Sequence, residues 1–356
     1  MMAFDHTTLA QRVLFQHGHV VDNVEAAVAA LSGARVLLVA DASVAAVADA
    51  VATRIPVVAR IGEIVQHVPV EHGDAAVALA RSENADVVVS IGGGSATGLA
   101  KYVGRDTGTP IVAVPTTFAG SEATDVWGQT EGDRKTTGSS PAVLPRTVVY
   151  DAELFATLPT DLAVASGLNA LAHAVDGFWA PRADPINTAL GTEGIRALVP
   201  GLRGIAADAD NLDALERTLY GAYLAAVAFA SAGSGLHHKI CHVLGGAFSL
   251  SHAETHAVVL PYVMDLFAPA VPDAASRVSH AVGGPDAASG LFALREELGV
   301  VGSLRELGMP EGGIDDAATR VAALVPPSTP RPVDASTLRG LIAAAWAGAP
   351  VGRRDY

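Results

Sequence analysis

The chain has 356 residues, half of them hydrophobic and 17% charged, which suits a globular protein of two domains with substantial cores and excludes a disordered chain. Its 23 Lys and Arg against 37 Asp and Glu give a formal charge of −14, so nucleic acid and anionic membranes are poor partners. The single cysteine, Cys241, excludes an intrachain disulfide, and neither a signal-like N-terminus nor an apolar run long enough to span a bilayer is present, so the expected location is the cytoplasm.

In chain order, RVLLVAD (35–41) reads as the first strand, followed by the amphipathic SVAAVADAVATR, a second strand in DVVVSIGGGS (86–95), a helical ATGLAKYVG and a third strand in IVAVPTT (111–117). Short β-branched runs alternating with alanine-rich helical stretches predict βαβ units on a parallel sheet, an α/β domain over residues 1–157. Gly92, Gly93, Gly94 and Ser95 join a strand to a helix, where backbone amides can converge on a pyrophosphate; the alternative is a tight turn that merely needs glycine. Asp41, at the end of its strand, stands where dinucleotide folds bind the adenine ribose and repel a 2′-phosphate, which favours NADH over NADPH; its other reading is a helix cap before Ser43.

The following polar loop, PTTFAGSEATDVWGQTEGDRKTTG, offers Thr116, Thr117 and Ser121 to a phosphate or a nicotinamide amide, and Arg134 and Lys135 as positive charge at the mouth of a cleft. The chain changes character at Leu158-Pro159: β-rich runs stop and long helical patterns begin, predicting a helical domain over residues 158–356. A proline-rich PPSTPRP (326–332) interrupts the helices, and ASTLRGLIAAAWAG is expected to pack back on the body.

The helical half carries three polar pairs at i, i+4 spacing, Asn169 with His173, His238 with His242, and His252 with His256, each on one helix face. Five histidines fall between His237 and His256 among small apolar residues. Imidazoles removed from water need partners, so the cluster points to metal ligation, proton transfer or anion binding, and the chain reads as an enzyme. For His237 alone a structural role is as good a reading. Cys241 lies in an apolar helical stretch and reads as a small buried hydrophobe, not a nucleophile.

GGGSATGLAK, VPTTFAGSEAT, TEGDRKTTG, SGLNALAHAV, GLHHKICHVLGG and HAETHAVVLP, in this order, resemble the iron-containing (group III) alcohol dehydrogenase superfamily and its maleylacetate reductase branch, over nearly the whole chain. The resemblance implies an N-terminal dinucleotide-binding α/β domain, a C-terminal all-α domain, an active site in the cleft between them and a homodimer. In the metal-dependent relatives an Asp and three His hold a divalent ion; the matching positions here are Asn169, His173, His238 and His252, and Gly98 replaces a further Asp. Maleylacetate reductases typically carry Asn at the first position and are regarded as working without metal. The resemblance therefore implies NADH- or NADPH-dependent reduction of the carbon-carbon double bond of maleylacetate to 3-oxoadipate, in aromatic compound catabolism, with no divalent metal required; any metal would fall to His173, His238 and His252.

The expected catalytic set is His173, His238, His242, His252, His256 and Asn169, with Lys239 or Arg134 anchoring a carboxylate of the dicarboxylate substrate and His242 and His252 nearest the reacting centre. Hydride addition to an enone makes an enolate that needs donors and a proton, which histidines can supply. The sequence departs from the branch at Tyr262, Ser251 and the N-terminal QHGHV, changes expected to alter the substrate pocket. Rival readings are a metal-dependent alcohol dehydrogenase, a reductase of a related unsaturated oxo-acid, a lyase resembling the dehydroquinate synthases, and a dinucleotide-binding scaffold without turnover.

Overall fold

The computed structural model describes residues 3–66, 68–132 and 134–352, and the side chains of Arg134 and Lys135 lie outside the described residues. The chain divides into two compact units, Thr8–Leu158 and the stretch from Pro159 onward, the latter also holding residues 3–7. This differs from a cut at 157/158 with the whole N-terminus in the first domain. The reason is local: His6 Nδ1 bonds Asp184 Oδ2 at 2.8 Å, tying the N-terminal segment to the helical unit.

The first unit runs β1 (Arg12–Phe15), α1 (Val20–Ala30), β2 (Val36–Val39), α2 (Ala45–Ala52), β3 (Val57–Ile61), α3 (Val70–Ser82), β4 (Val87–Gly92), α4 (Gly94–Thr107), β5 (Ile111–Pro115), β6 (Val126–Glu131), β7 (Arg134–Ser139) and β8 (Thr147–Tyr150). Six strands form a parallel sheet in the order β1-β8-β5-β4-β2-β3. Strands β2 and β4 are buried along their whole length, as unbroken apolar runs in a doubly covered parallel sheet should be. Period-two alternation splits their side chains: Val36, Leu38, Val87 and Val89 pack with α1 and α2, while Leu37, Val39 and Val88 pack with α3 and α4.

Two elements depart from the sequence reading. RVLLVAD supplies the second strand, because the short, half-exposed RVLF precedes it at the sheet edge as β1. The polar loop after Thr117 contains an antiparallel hairpin, β6 with β7. Lys101 anchors it: the ammonium, buried on α4, donates to Thr124 O (2.8 Å), Thr124 Oγ1 (3.0 Å) and Val126 O (2.6 Å).

The second unit is helical throughout: α5 (Thr160–Gly177), α6 (Pro185–Ala207), α7 (Leu212–Ala232), α8 (Leu236–Phe248), α9 (His252–Phe267), α10 (Pro272–Val282), α11 (Ala287–Glu297), α12 (Ile314–Ala322) and α13 (Ala335–Ala347). Nearly all of α5 is buried, so it forms the centre of the unit. Side-chain caps fix several starts, Asp184 on α6, Asn211 on α7, Asp286 on α11 and Asp334 on α13. No single helix among the described residues is long and apolar enough to cross a membrane; α7 and α8 pass such a test jointly but meet at a 99° bend. Tyr262 is fully buried and donates from its hydroxyl to Ala349 O at 2.8 Å, tying α9 to the segment after α13.

Helices α6 and α7 approach closely because glycines face each other. A Cβ on Gly221 would meet Gly194 O at 2.8 Å and Leu198 N at 2.9 Å, both backbone atoms that cannot swing aside. Gly221→Ala is therefore expected to destabilise the protein by about 1–3 kcal/mol through overpacking. Urea unfolding would show this as a lower midpoint with an unchanged slope, and an unshifted midpoint would mean that the helices separate at no cost.

Candidate active site

The first candidate region lies at the carboxyl ends of three adjacent parallel strands, β2, β4 and β5, where the chain order reverses between β2 and β4. Gly92 (φ 147°) turns the chain out of β4, and Gly93 stands extended as the residue before α4, with no side chain capping the helix start. The amides opening α4 are thus available to an anion. Thr116 N donates to Gly92 O at 3.1 Å, and a Cβ on Gly93 would lie 3.0 Å from Thr117 Cγ2. Gly92, Gly93, Gly94, Ser95, Thr116 and Thr117 therefore come together, and only glycine at 93 lets the Thr117 side chain approach so closely. Ser121 opens a short 3-10 turn after Gly120, its carbonyl accepting from Thr124. Asp41 follows β2 and caps the next turn, accepting from Ser43 N at 2.8 Å and Ser43 Oγ at 2.5 Å, which is the capping reading of that residue. The uncapped helix start and the glycine cradle fit a dinucleotide pyrophosphate.

The second region is built by α5, α8 and α9, which bring six histidines into one cluster. Rings of His173 and His238 stack at 5.1 Å, His238 and His256 lie 4.7 Å apart, His252 and His256 4.5 Å, and His242 and His252 6.0 Å. Phe229 of α7 covers His173 and His238 at 4.8 and 4.2 Å. The cluster has two layers. His173, His237, His238 and His256 are buried, whereas His242 and His252 are exposed at its rim and Lys239 is half-buried. Burial pushes His173 down to about 4 and His237 down to about 3, and carries His238 and His256 well below the usual imidazole range. The inner layer is therefore neutral near pH 7. His237 Nε2 and His256 Nδ1 share a hydrogen bond of 2.9 Å, which gives His237 a partner inside the core rather than access to a ligand.

Sequence reasoning missed Asp176. This carboxylate is fully buried one turn beyond His173, takes bonds from Trp179 Nε1 (2.9 Å), Gly235 N (2.9 Å) and His237 N (3.3 Å), and shares a 2.7 Å hydrogen bond with His238 Nδ1. Burial pushes its pKa up, against the pull of His237, the indole and two amides. The signal was present: an acid inside the apolar run LAHAVDGFWA is expensive to bury unless several donors await it. Glu254, two residues from His252 and so on the other side of α9, lines a separate cavity with Thr160, Asp161, Glu297 and Val300. Cys241 is buried, and burial, reinforced by Asp176, pushes its thiol well above the usual range.

The donor set fits a divalent ion poorly. Asn169 offers a neutral amide oxygen, not the carboxylate that the resemblance implies for a metal-dependent site, and the rings of His173 and His238 are stacked at 16°. Among the described residues, the three ligand-type side chains whose donor atoms all lie within 4.8 Å are His237, Cys241 and His256, not His173, His238 and His252. Asn169 Oδ1, His173 Nδ1 and His238 Nε2 are buried without a hydrogen-bond partner, a polar set available to a substrate.

Comparisons with known proteins give the family. Residues 10–152 match the iron-containing alcohol dehydrogenase family, and residues 163–346 match the C-terminal part of the Fe-containing alcohol dehydrogenase family. A maleylacetate reductase of Sphingobium indicum is 42% identical over 98% of this chain and 99% of its own length. Among solved structures, an iron-containing alcohol dehydrogenase from Corynebacterium glutamicum is 47% identical with a TM-score of 0.94, covering 97% of each chain. The maleylacetate reductase of a Rhizobium species is 39% identical, also with a TM-score of 0.94, over 98% of this chain and 100% of that one. The chain therefore belongs to the iron-containing alcohol dehydrogenase family of oxidoreductases, in its maleylacetate reductase branch.

Proposed function

We propose that the chain reduces the carbon-carbon double bond of maleylacetate to give 3-oxoadipate, using NADH or NADPH and no obligatory divalent ion. The observation that carries this reading is Asn169 in a cluster of neutral buried histidines with unpartnered donors and acceptors, where a metal-dependent enzyme would need a carboxylate. The curated relatives named maleylacetate reductase support the substrate.

The reduced nicotinamide supplies the hydride. The chain's own residues must then hold a dicarboxylate, stabilise the negative charge that develops on the ketone oxygen and deliver a proton to the neighbouring carbon. Since the inner imidazoles are neutral, they act as dipolar hydrogen-bond partners, and positive charge for the carboxylates falls to Lys239 and to the rim. His242 and His252, exposed to solvent, can exchange protons with water between turnovers, so we assign them the proton delivery and assign His173, His238 and Asn169 the substrate oxygens. His256 supports His252 from below. The Asp41 carboxylate after β2 disfavours a 2′-phosphate, so NADH is the expected preference, and a homodimer is the expected assembly.

Purified protein is expected to oxidise NADH with maleylacetate at a rate unaffected by a strong chelator. Activity lost on chelation and restored by iron or zinc would instead identify a metal-dependent dehydrogenase. His252→Ala and His242→Ala should each lower kcat by about 10²-fold or more while leaving the unfolding midpoint nearly unchanged, because both are exposed; full activity in either variant would remove that residue from the chemistry.

The inner histidines also set acid stability. Their folded-state pKa values lie below the ordinary 6.5, so between those values the unfolded chain binds protons that the folded chain refuses. Stability is then fully present above pH 6.5 and declines as pH falls towards 4, by up to about 1.4 kcal/mol per pH unit for each such histidine. Urea midpoints at pH 7.5, 6 and 5 should fall steadily, and a flat series would show that these rings are charged or exposed.

A further inference from the structure

We propose that Asp176 is the positioning residue of the reaction, fixing both the ring plane and the tautomer of His238 so that His238 Nε2 faces the substrate with a defined hydrogen-bonding sense. The inference rests on the reading above that His238 meets substrate oxygens. Besides His238, the groups that bond Asp176 are an indole N–H and two backbone N–H groups, all donors that cannot accept. These three donors favour the ionised carboxylate, and an ionised carboxylate only accepts, so the proton in its 2.7 Å contact with His238 is assigned to Nδ1 of the ring. Neutral His238 is then the Nδ1–H tautomer, and its Nε2, buried and without a partner, presents a lone pair. Two further constraints hold the arrangement. Phe229 and His173 cover the ring at 4.2 and 5.1 Å, which prevents its rotation, and a Cβ on Gly235 would lie 2.4 Å from Asp176 Oδ1, so glycine there is what lets the start of α8 descend onto the carboxylate.

Asp176→Asn tests this. The amide keeps Oδ1 for the indole and His237 N and turns an NH2 group towards His238 Nδ1, which must then accept, moving the ring proton to Nε2 and reversing what the substrate meets; Gly235 N, which shares Oδ2 with His238, loses its acceptor, a loss read in stability and not in the tautomer. Trp179→Phe is the companion variant: it removes one donor from the same carboxylate but leaves the bond to His238 in place. In protein labelled with 15N-histidine, with the His238 signals assigned from a His238→Asn variant, wild type and Trp179→Phe should show the proton on Nδ1, and Asp176→Asn should show it on Nε2. With maleylacetate and NADH, Asp176→Asn should lose roughly 10²- to 10⁴-fold in kcat, with KM changing much less, the range seen when a catalytic imidazole takes the wrong tautomer. Trp179→Phe should keep kcat within a few-fold even if its melting temperature falls as far. Equal kcat losses in the two variants, an active Asp176→Asn, or an unchanged His238 tautomer would each overturn the assignment. The nitrogen spectra separate it from the substrate reading: a wild type inactive on maleylacetate sinks that reading, while reversal or persistence of the tautomer still supports or overturns the role of Asp176.

Discussion

The helical unit is organised by one buried charge. Asp176 gathers donors from the end of α5, from the bend between α7 and α8 and from the first turn of α8, so a single carboxylate fixes where α8 begins and which way its histidines face. The 99° bend would otherwise leave the first amides of α8 in the core without acceptors. Arg182 secures the other side of the same bend, donating to Ser231 O at 2.8 Å and Ala230 O at 3.2 Å at the end of α7. Local backbone satisfaction and the placement of the clustered imidazoles are thus one arrangement.

Residue 169 adds no second charge to this buried cluster. A second carboxylate beside a cluster that already buries Asp176 would raise both carboxyl pKa values unless a cation lay between them. An amide at 169 removes that requirement and leaves Asn169 Oδ1 as a neutral acceptor. Neutral imidazoles tolerate the dry interior for the same reason, since desolvation penalises only their charged form. The exposed His242 and His252 have access to bulk protons, and the inner layer supplies shape and dipoles.

Much of the fold was legible because its signals are periodic. The unbroken apolar runs of β2 and β4, the glycine turn after Ile91 and the i, i+4 polar pairs each follow from strand or helix geometry, and they place the glycine cradle and the histidines on the right elements. What escaped lacks periodic contrast. RVLF is short and half-exposed, and the β6–β7 hairpin is polar on both faces, held by Lys101 and by the parallel bridge of Pro69 with Thr130, contacts that no local pattern announces. Asp176 escaped because its partners include backbone amides 59 and 61 residues away, which no local pattern announces. The burial of Tyr262 against Ala349 likewise depends on a partner 87 residues later.

The contact of His6 with Asp184 has a consequence for synthesis. Its partners are 178 residues apart, with the entire sheet unit between them, so that unit is topologically an insertion into the helical one. At ribosomal speeds of about 5–20 residues per second, the N-terminal segment waits on the order of ten to thirty seconds before Asp184 emerges. During that interval Thr8–Leu158 can complete its sheet alone, and only afterwards can the helical unit recruit the segment that precedes Thr8. A segment made before the sheet unit thus reaches its place only after that unit is complete.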